Sequence, residues 1–122
     1  LGITSAEELA EDRRWGALFE TWVVNQLVVL AAEIDKDIRV YFWRTQHGEA
    51  EVDVVLGYKQ ILYPIEIKSK VSAARSNAAK IARLRERYAA THTVAPGLII
   101  YAGDRLHFLD EQTIAFPAFL LQ

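Results

Sequence analysis

Hydrophobic and polar residues alternate along residues 49–70, which predicts two antiparallel strands joined by a polar turn at Gly57–Gln60. We place Leu56 opposite Ile61 across this turn. The apolar face of the hairpin then pairs Ala50, Val52, Val54 and Leu56 with Ile67, Ile65, Tyr63 and Ile61. Because a shift of one residue would set acids against the apolar row, this register is strongly favoured.

The other face of the hairpin is predicted to carry three acids. In this register Glu51 lies opposite Glu66 and Asp53 lies opposite Pro64. Asp53 and Glu66 become diagonal neighbours about 7–8 Å apart, and Lys68 follows on the same side. Acids this close repel, so a basic side chain, a raised pKa or a divalent cation should offset the repulsion. We favour the cation.

Upstream of the hairpin, a three- and four-residue apolar spacing predicts a helix over residues 14–33. Its core stripe comprises Trp15, Leu18, Phe19, Trp22, Val23, Leu27 and Leu30. Glu20 falls on the flank of this stripe, where an acid is either half-solvated or directed at a ligand. Gly16 costs the helix about 1 kcal/mol relative to alanine, which indicates close approach to another element. Ser5 and Glu8 form a capping-box pattern that opens a short helix ending near Asp12.

A further strand, Ile38–Thr45, precedes the hairpin through a tight connection at Gln46–Glu49. Placing Thr45 opposite Ala50 gives the pairs Trp43–Val52, Tyr41–Val54, Arg44–Glu51 and Phe42–Asp53. Glu51 therefore has a cross-strand arginine and is expected to be structural, whereas Asp53 is freer to bind metal. His47 is expected to be an exposed turn residue.

The second half of the chain predicts a crossover. Residues 72–90 form a helix, and the nearly continuous apolar run Gly97–Ala102 is typical of a strand buried on both faces. A strand–helix–strand connection of this kind places Gly97–Ala102 parallel to Ile61–Ser69. Pro64 cannot donate a hydrogen bond in a sheet, so we expect a bulge or local splaying beside the acids.

The chain ends in two predicted strands, Leu106–Leu109 and Thr113–Phe116, and an apolar tail, Pro117–Gln122. A tail of this kind either packs onto the core or belongs to an interface, and a homodimer through it is plausible.

Composition predicts a single soluble domain spanning residues 1–122, because 52% of the residues are hydrophobic and 25% are charged. The absence of cysteine excludes disulfides and thiolate chemistry and fits a cytoplasmic protein. No signal peptide or membrane-spanning run is evident, so no membrane partner is expected. The chain lacks methionine, and we expect it to be part of a longer protein.

Charge is distributed unevenly along the chain. The formal net charge is −2, but between Lys68 and Arg87 there are seven basic residues and a single acid, Glu86. This excess favours a phosphate-facing surface and a merely solvated helix face about equally.

Helix, three antiparallel strands, helix and parallel strand make an α/β arrangement. With Val52-Asp53 on the second strand, Glu66-Ile67-Lys68 on the third and Glu20 on the first helix, the chain resembles the restriction-endonuclease-like PD-(D/E)XK superfamily. The resemblance implies an αβββαβ core with a mixed sheet flanked by helices.

Four blocks of sequence look like the uncharacterised C-terminal domain of prokaryotic AAA-type P-loop ATPases. They are residues 16–23, 41–44, 51–53 and 63–68. The family proline before the aspartate is replaced by Val52. Since the chain has no Gly-x-x-x-x-Gly-Lys-Ser/Thr motif, an ATPase module would lie outside it.

The resemblance also implies a metal-dependent nuclease that uses Mg²⁺ or Mn²⁺. Asp53, Glu66 and the Ile67 carbonyl would bind the ion, and Glu20 would bind through water or complete a second position. Lys68 would orient the attacking water. Nucleic acid, with DNA favoured, would be held by four residues just downstream, Ser69, Lys70, Arg75 and Lys80.

Another class of function stays open. The domain can instead be a catalytically silent, nuclease-like module that recognises DNA or a partner for its ATPase, with the acids and Lys68 in a buried ion network. The presence of Glu20, Asp53, Glu66 and Lys68 together favours the enzyme. A purely structural cap ranks last, because it gives the converging acids no purpose.

Overall fold

The structure is a computed structural model that describes residues 5, 8, 13–44 and 51–122, apart from the side chains of Arg44 and Glu51. The Ser5 hydroxyl accepts the Glu8 backbone N–H at 3.1 Å, which confirms the predicted helix cap. The predicted connection at Gln46–Glu49, with His47 in it, lies outside the described residues.

The chain folds as a mixed α/β domain, as predicted, with a seven-stranded sheet. Within residues 13–44 and 51–122, the helices are α1 (Arg13–Ile34) and α2 (Ala79–Tyr88). The strands are β1 (Arg39–Arg44), β2 (Glu51–Tyr58), β3 (Ile61–Lys68), β4 (Thr93–Val94), β5 (Gly97–Tyr101), β6 (His107–Asp110) and β7 (Thr113–Pro117). Short 3₁₀ turns at Arg75–Ala78 and Ala118–Leu121 precede α2 and end the chain.

Strand order in the sheet is β1-β2-β3-β5-β7-β6, with β4 paired to β3. The first three strands are antiparallel, and β5 runs parallel to β3 as predicted. β7 lies between β5 and β6 and is parallel to β5, so the last two strands form a hairpin added at the sheet edge.

The helices cover opposite faces of the sheet. On α1 the buried residues recur every four positions; they are Phe19, Val23, Leu27 and Ala31. The first three pack in one cluster with Val54, Ile65 and Ile100. On the other face, Ile81 and Leu84 of α2 pack against the core residues Val52, Val55, Leu62 and Ile99. The helix predicted for residues 72–90 is shorter in the structure, where α2 is preceded by the 3₁₀ turn Arg75–Ala78. The Asn77 side chain accepts the Ala74 N–H at the start of this turn.

The buried stripe of α1 is narrower than predicted, since Leu18 is 67% and Trp22 is 36% exposed. Among the described residues, α1 is also the one helix long and apolar enough to cross a membrane by length and composition. Core helices of soluble proteins satisfy the same criteria, and the buried stripe of α1 faces the sheet. The fold is that of a soluble-like α/β domain.

A β-bulge interrupts the pairing of β1 with β2. Tyr41 pairs with Val55 and Trp43 pairs with Val52, so Phe42 lies opposite two residues, Asp53 and Val54. The predicted pair Trp43–Val52 is confirmed, but Tyr41–Val54 is wrong by one residue. The extra residue reverses the alternation, and Val52 therefore faces α2 while Val54 faces α1. The predicted Arg44–Glu51 pairing holds at the level of the backbone.

The β2–β3 register differs by two residues from the prediction, because the turn contains only Lys59 and Gln60. Both residues have positive φ, 50° and 67°, and Tyr58 pairs directly with Ile61. A turn with positive φ at both central residues matches the twist of a hairpin. Residues other than Gly, Asn and Asp rarely adopt it. Because the shift is two residues, each residue of β3 stays on its predicted face of the sheet. The shift also brings Asp53 level with Glu66.

Pro64 pairs with Val55 and lies where β4 has ended and β5 has not begun. With the two-residue turn, even-numbered residues of β3 direct their amides toward β4 and β5, as shown by Ala95 N–H donating to the Leu62 carbonyl at 2.8 Å. The position of the missing N–H of Pro64 therefore faces the gap between β4 and β5. No hydrogen bond of the sheet is lost there. The expected bulge occurs on β2 and not on the proline strand.

Two glycines predict opposite effects on stability. A Cβ at Gly97 would lie 2.8 Å from Ile81 Cδ1, and Ile81 is only 2% exposed, so Gly97→Ala should cost about 1–3 kcal/mol. A Cβ at Gly16 would meet Ser69 Oγ at 3.5 Å, an ordinary contact, so Gly16→Ala should gain up to about 1 kcal/mol. Urea unfolding of both variants measures this; shifts in the same direction would contradict the packing described.

Candidate functional site

The site lies where β2 and β3 stop pairing although both strands continue. Their last paired residues are Val54 and Ile65, and the next residue on each strand is an acid, Asp53 or Glu66. The prediction made these acids diagonal neighbours; the observed register sets them directly opposite each other. The bulge on β2 falls at the same point, and bulges often re-aim a side chain beside an active site.

Each acid accepts a hydrogen bond from the backbone of the opposite strand. Glu66 Oε1 accepts the Asp53 N–H at 3.0 Å, and Asp53 Oδ2 accepts the Ile67 N–H at 2.8 Å. The two carboxylates thus replace the missing ladder bonds, and this reciprocal arrangement holds both of them at the gap between the strands. Because a carboxylate has about four lone-pair sites, a backbone N–H bond does not by itself prevent it from binding a cation.

The Ile67 carbonyl points toward the same gap. In a strand, the N–H and C=O of one residue are directed to the same neighbouring strand. Since the Ile67 N–H reaches Asp53 of β2, its C=O also lies on the β2 side. Two carboxylates and the Ile67 carbonyl thus belong to the same gap between β2 and β3. Their role as metal ligands stays a prediction.

Glu66 is the most electrostatically strained group of the site. Its side chain is 6% exposed, and burial raises its pKa from 4.5 to about 7, with the nearby charge of Asp53 adding to the effect. The Asp53 N–H bond and the charges of Lys80 and Lys68 oppose this rise without cancelling it. Burial is thus the larger cause of the raised pKa of Glu66, and the predicted repulsion from Asp53 adds to it.

Lys68 ends β3 two residues after Glu66, where the sequence placed it, and is half-buried. Lys80 was predicted to hold nucleic acid; the structure shows in addition that its charge lowers the pKa of Glu66. Sequence reasoning missed this link, because it depends on how α2 packs over β3.

Glu20 is exposed on α1. The start of α1 is fixed to the end of β3, since Trp15 Nε1 donates to the Ser69 carbonyl at 3.0 Å and Gly16 packs against Ser69. Gly16 thus lies next to another element, as predicted, but the spacing to Ser69 would also admit a Cβ. Within residues 13–44 and 51–122, no group of three or more His, Asp or Glu side chains is placed to hold a metal ion. The role of Glu20 as a third acid therefore stays a prediction.

The basic segment after β3 divides into two kinds of residue. Lys70 and Arg75 are exposed, as phosphate contacts would need to be, and the Lys70 carbonyl accepts the Ala102 N–H at 2.9 Å. Arg85 instead donates to the carbonyls of Val94 at 2.7 Å and Ala95 at 3.1 Å. Arg85 thus satisfies the backbone between β4 and β5, so this base has a structural use.

The chain belongs to the family of the domain of unknown function DUF4143, whose model matches residues 15–121. In general terms this domain is found at the C-terminus of AAA-type ATPases, which agrees with the resemblance seen in the sequence. No curated protein matches the chain.

Proposed function

We propose that this DUF4143 domain is a metal-dependent phosphodiester hydrolase of the PD-(D/E)XK type that acts on DNA, attached to an ATPase module in a cytoplasmic protein. One observation carries the proposal: Asp53 and Glu66 are held at one gap by reciprocal bonds to each other's strand. A second supports it, since the Glu66 pKa of about 7 is what a buried acid shows beside another acid.

The donor set fits Mg²⁺ or Mn²⁺. These hard ions take oxygen ligands and keep several waters, so two carboxylates and the Ile67 carbonyl suffice without a third acid. When bound, such an ion neutralises phosphate charge and lowers the pKa of a water molecule. Its positive charge would also favour ionised Glu66 and relieve the repulsion from Asp53.

The chain's own residues supply orientation and charge. Asp53 and Glu66 hold the acidic position between the strands, because the backbone bonds fix both side chains. Lys68 would orient the attacking water or stabilise the charge that develops on the phosphate. Lys70 and Arg75 would hold the DNA backbone on either side.

One feature favours the alternative of a catalytically silent recognition domain. Both acids already bond to backbone amides, and this arrangement by itself completes the interrupted ladder between β2 and β3. Under this alternative Glu66 is protonated near neutral pH and no ion binds.

Hydrolysis of supercoiled and linear DNA tests the proposal. We expect cleavage by the wild-type chain in Mg²⁺ or Mn²⁺ and none in EDTA, because the acids alone lack the positive charge that the phosphate requires. Cleavage that persists in EDTA, or its absence in both metals, would contradict the proposed activity.

A further inference from the structure

A second site lies on the face of the sheet that α2 covers, at the hairpin end of β2 and β3. A helix of ten residues spans only about 15 Å, whereas eight-residue strands extend about 26 Å, so α2 leaves this end uncovered. A cavity of about 470 Å³ opens there, between the end of α2 and the strands β1, β2 and β3.

Aromatic rings line this cavity, which we call the aromatic pocket. The lining residues include Arg39, Tyr41, Trp43, Lys59 and Tyr88. Tyr41 is 50% exposed, although it lies on the face of the sheet that α2 covers farther along the strands. Its ring lies over Gly57, where a Cβ would approach Tyr41 Cε2 to 2.9 Å. The missing side chain at Gly57 therefore lets the Tyr41 ring approach the backbone of β2 at the pocket.

Two of the three charged residues that line the pocket are bases, Arg39 and Lys59, and the third is Asp37. Lys59 Nζ also lies 5.1 Å from the Tyr58 ring centre. Two cations beside exposed rings disfavour a cationic ligand and favour one that combines an aromatic ring with a negative charge.

We propose that the aromatic pocket binds a nucleotide, with the base stacked on Tyr41 and its phosphate held by Arg39 or Lys59. Stacking on an aromatic side chain is tolerant of base identity, and neighbouring cations follow the backbone, which together are the features of single-stranded nucleic acid sites. None of the residues assigned to the metal site, Asp53, Glu66, Ile67 and Lys68, lines the pocket, so the inference does not depend on the proposed hydrolysis. The nucleotide can be free or part of a single strand.

Fluorescence anisotropy with labelled oligonucleotides tests the proposal, in EDTA so that hydrolysis plays no part. The probes are a single-stranded oligonucleotide and an abasic strand of equal length and charge. We expect the abasic strand to bind about tenfold more weakly, because it keeps the phosphates and lacks the rings. Equal binding of both strands, or no binding of either strand or of a mononucleotide, would overturn the proposal.

Variants locate the site. Tyr41→Ala should weaken binding of the base-containing strand by about tenfold. Gly57→Ala should weaken it in the same direction by displacing the ring. The matched control is Tyr63→Ala, which removes a tyrosine that is 38% exposed and outside the pocket. Equal losses in Tyr41→Ala and Tyr63→Ala would overturn the assignment.

Competition by a free mononucleotide distinguishes the two sources of the nucleotide. Competition at the oligonucleotide's own affinity would identify a free nucleotide as the ligand, and failure to compete would identify a single strand.

Discussion

Asp53→Asn is expected to lower the rate of DNA hydrolysis by about two to three orders of magnitude without unfolding the domain. The asparagine side chain keeps an oxygen that can accept the Ile67 N–H, so the bond that joins β2 to β3 can persist. It loses the negative charge that a divalent cation requires. Cleavage rates at saturating Mg²⁺ measure the effect, and circular dichroism checks the fold.

Lys68→Ala is expected to cause a loss of similar size, because it removes the cation beside the acids at the end of β3. Asp104→Ala and Lys36→Ala are matched controls, since both change one exposed charge away from the gap. Wild-type cleavage in Asp53→Asn and Lys68→Ala, or an equal loss in the controls, would contradict the assigned roles.

Glu66→Gln is expected to stabilise the metal-free domain above neutral pH. The folded-state pKa of Glu66 is about 7 against 4.5 when unfolded, so between these values the folded chain binds more protons. Stability from this group is therefore present at low pH and is lost as the pH rises from about 4.5 to about 7. The full loss corresponds to about 3 kcal/mol, which glutamine avoids because it carries no charge.

Urea unfolding near pH 5 and near pH 8 measures this difference. The wild type should lose stability between the two conditions relative to Glu66→Gln, whose amide oxygen can still accept the Asp53 N–H. Glu86→Gln is the matched control, because Glu86 is exposed on α2. Equal pH dependence in the wild type and Glu66→Gln would show that Glu66 titrates normally.

The hydrophobic pattern predicted α1, α2, the antiparallel order of β1, β2 and β3, and the parallel direction of β5. It did not predict β4, a strand of two residues in a segment without a periodic pattern. It also predicted that Ile65 and Ile67 share a face of β3, because alternation along a regular strand depends only on the residues of that strand. The slip of the hairpin could not be predicted, since it depends on positive φ at Lys59 and Gln60, residues that rarely adopt it.

The geometry of the site was predicted only in part. The sequence identified Asp53, Glu66, Ile67 and Lys68 and proposed splaying near them. It did not show that each acid would accept an N–H from the opposite strand, because this follows from the bulge at Asp53–Val54. Lys80 was missed as a neighbour of Glu66, since the packing angle of a helix on a sheet is not encoded in local periodicity.

Calorimetric titration with Mn²⁺ measures whether Asp53 and Glu66 together bind a divalent cation. We predict one ion per wild-type chain near pH 7, with proton release as Glu66 ionises, and markedly weaker binding by Glu66→Gln and Asp53→Asn. A wild-type chain that takes up no Mn²⁺, or binds it no more tightly than these two variants, would contradict the account and favour a silent recognition domain.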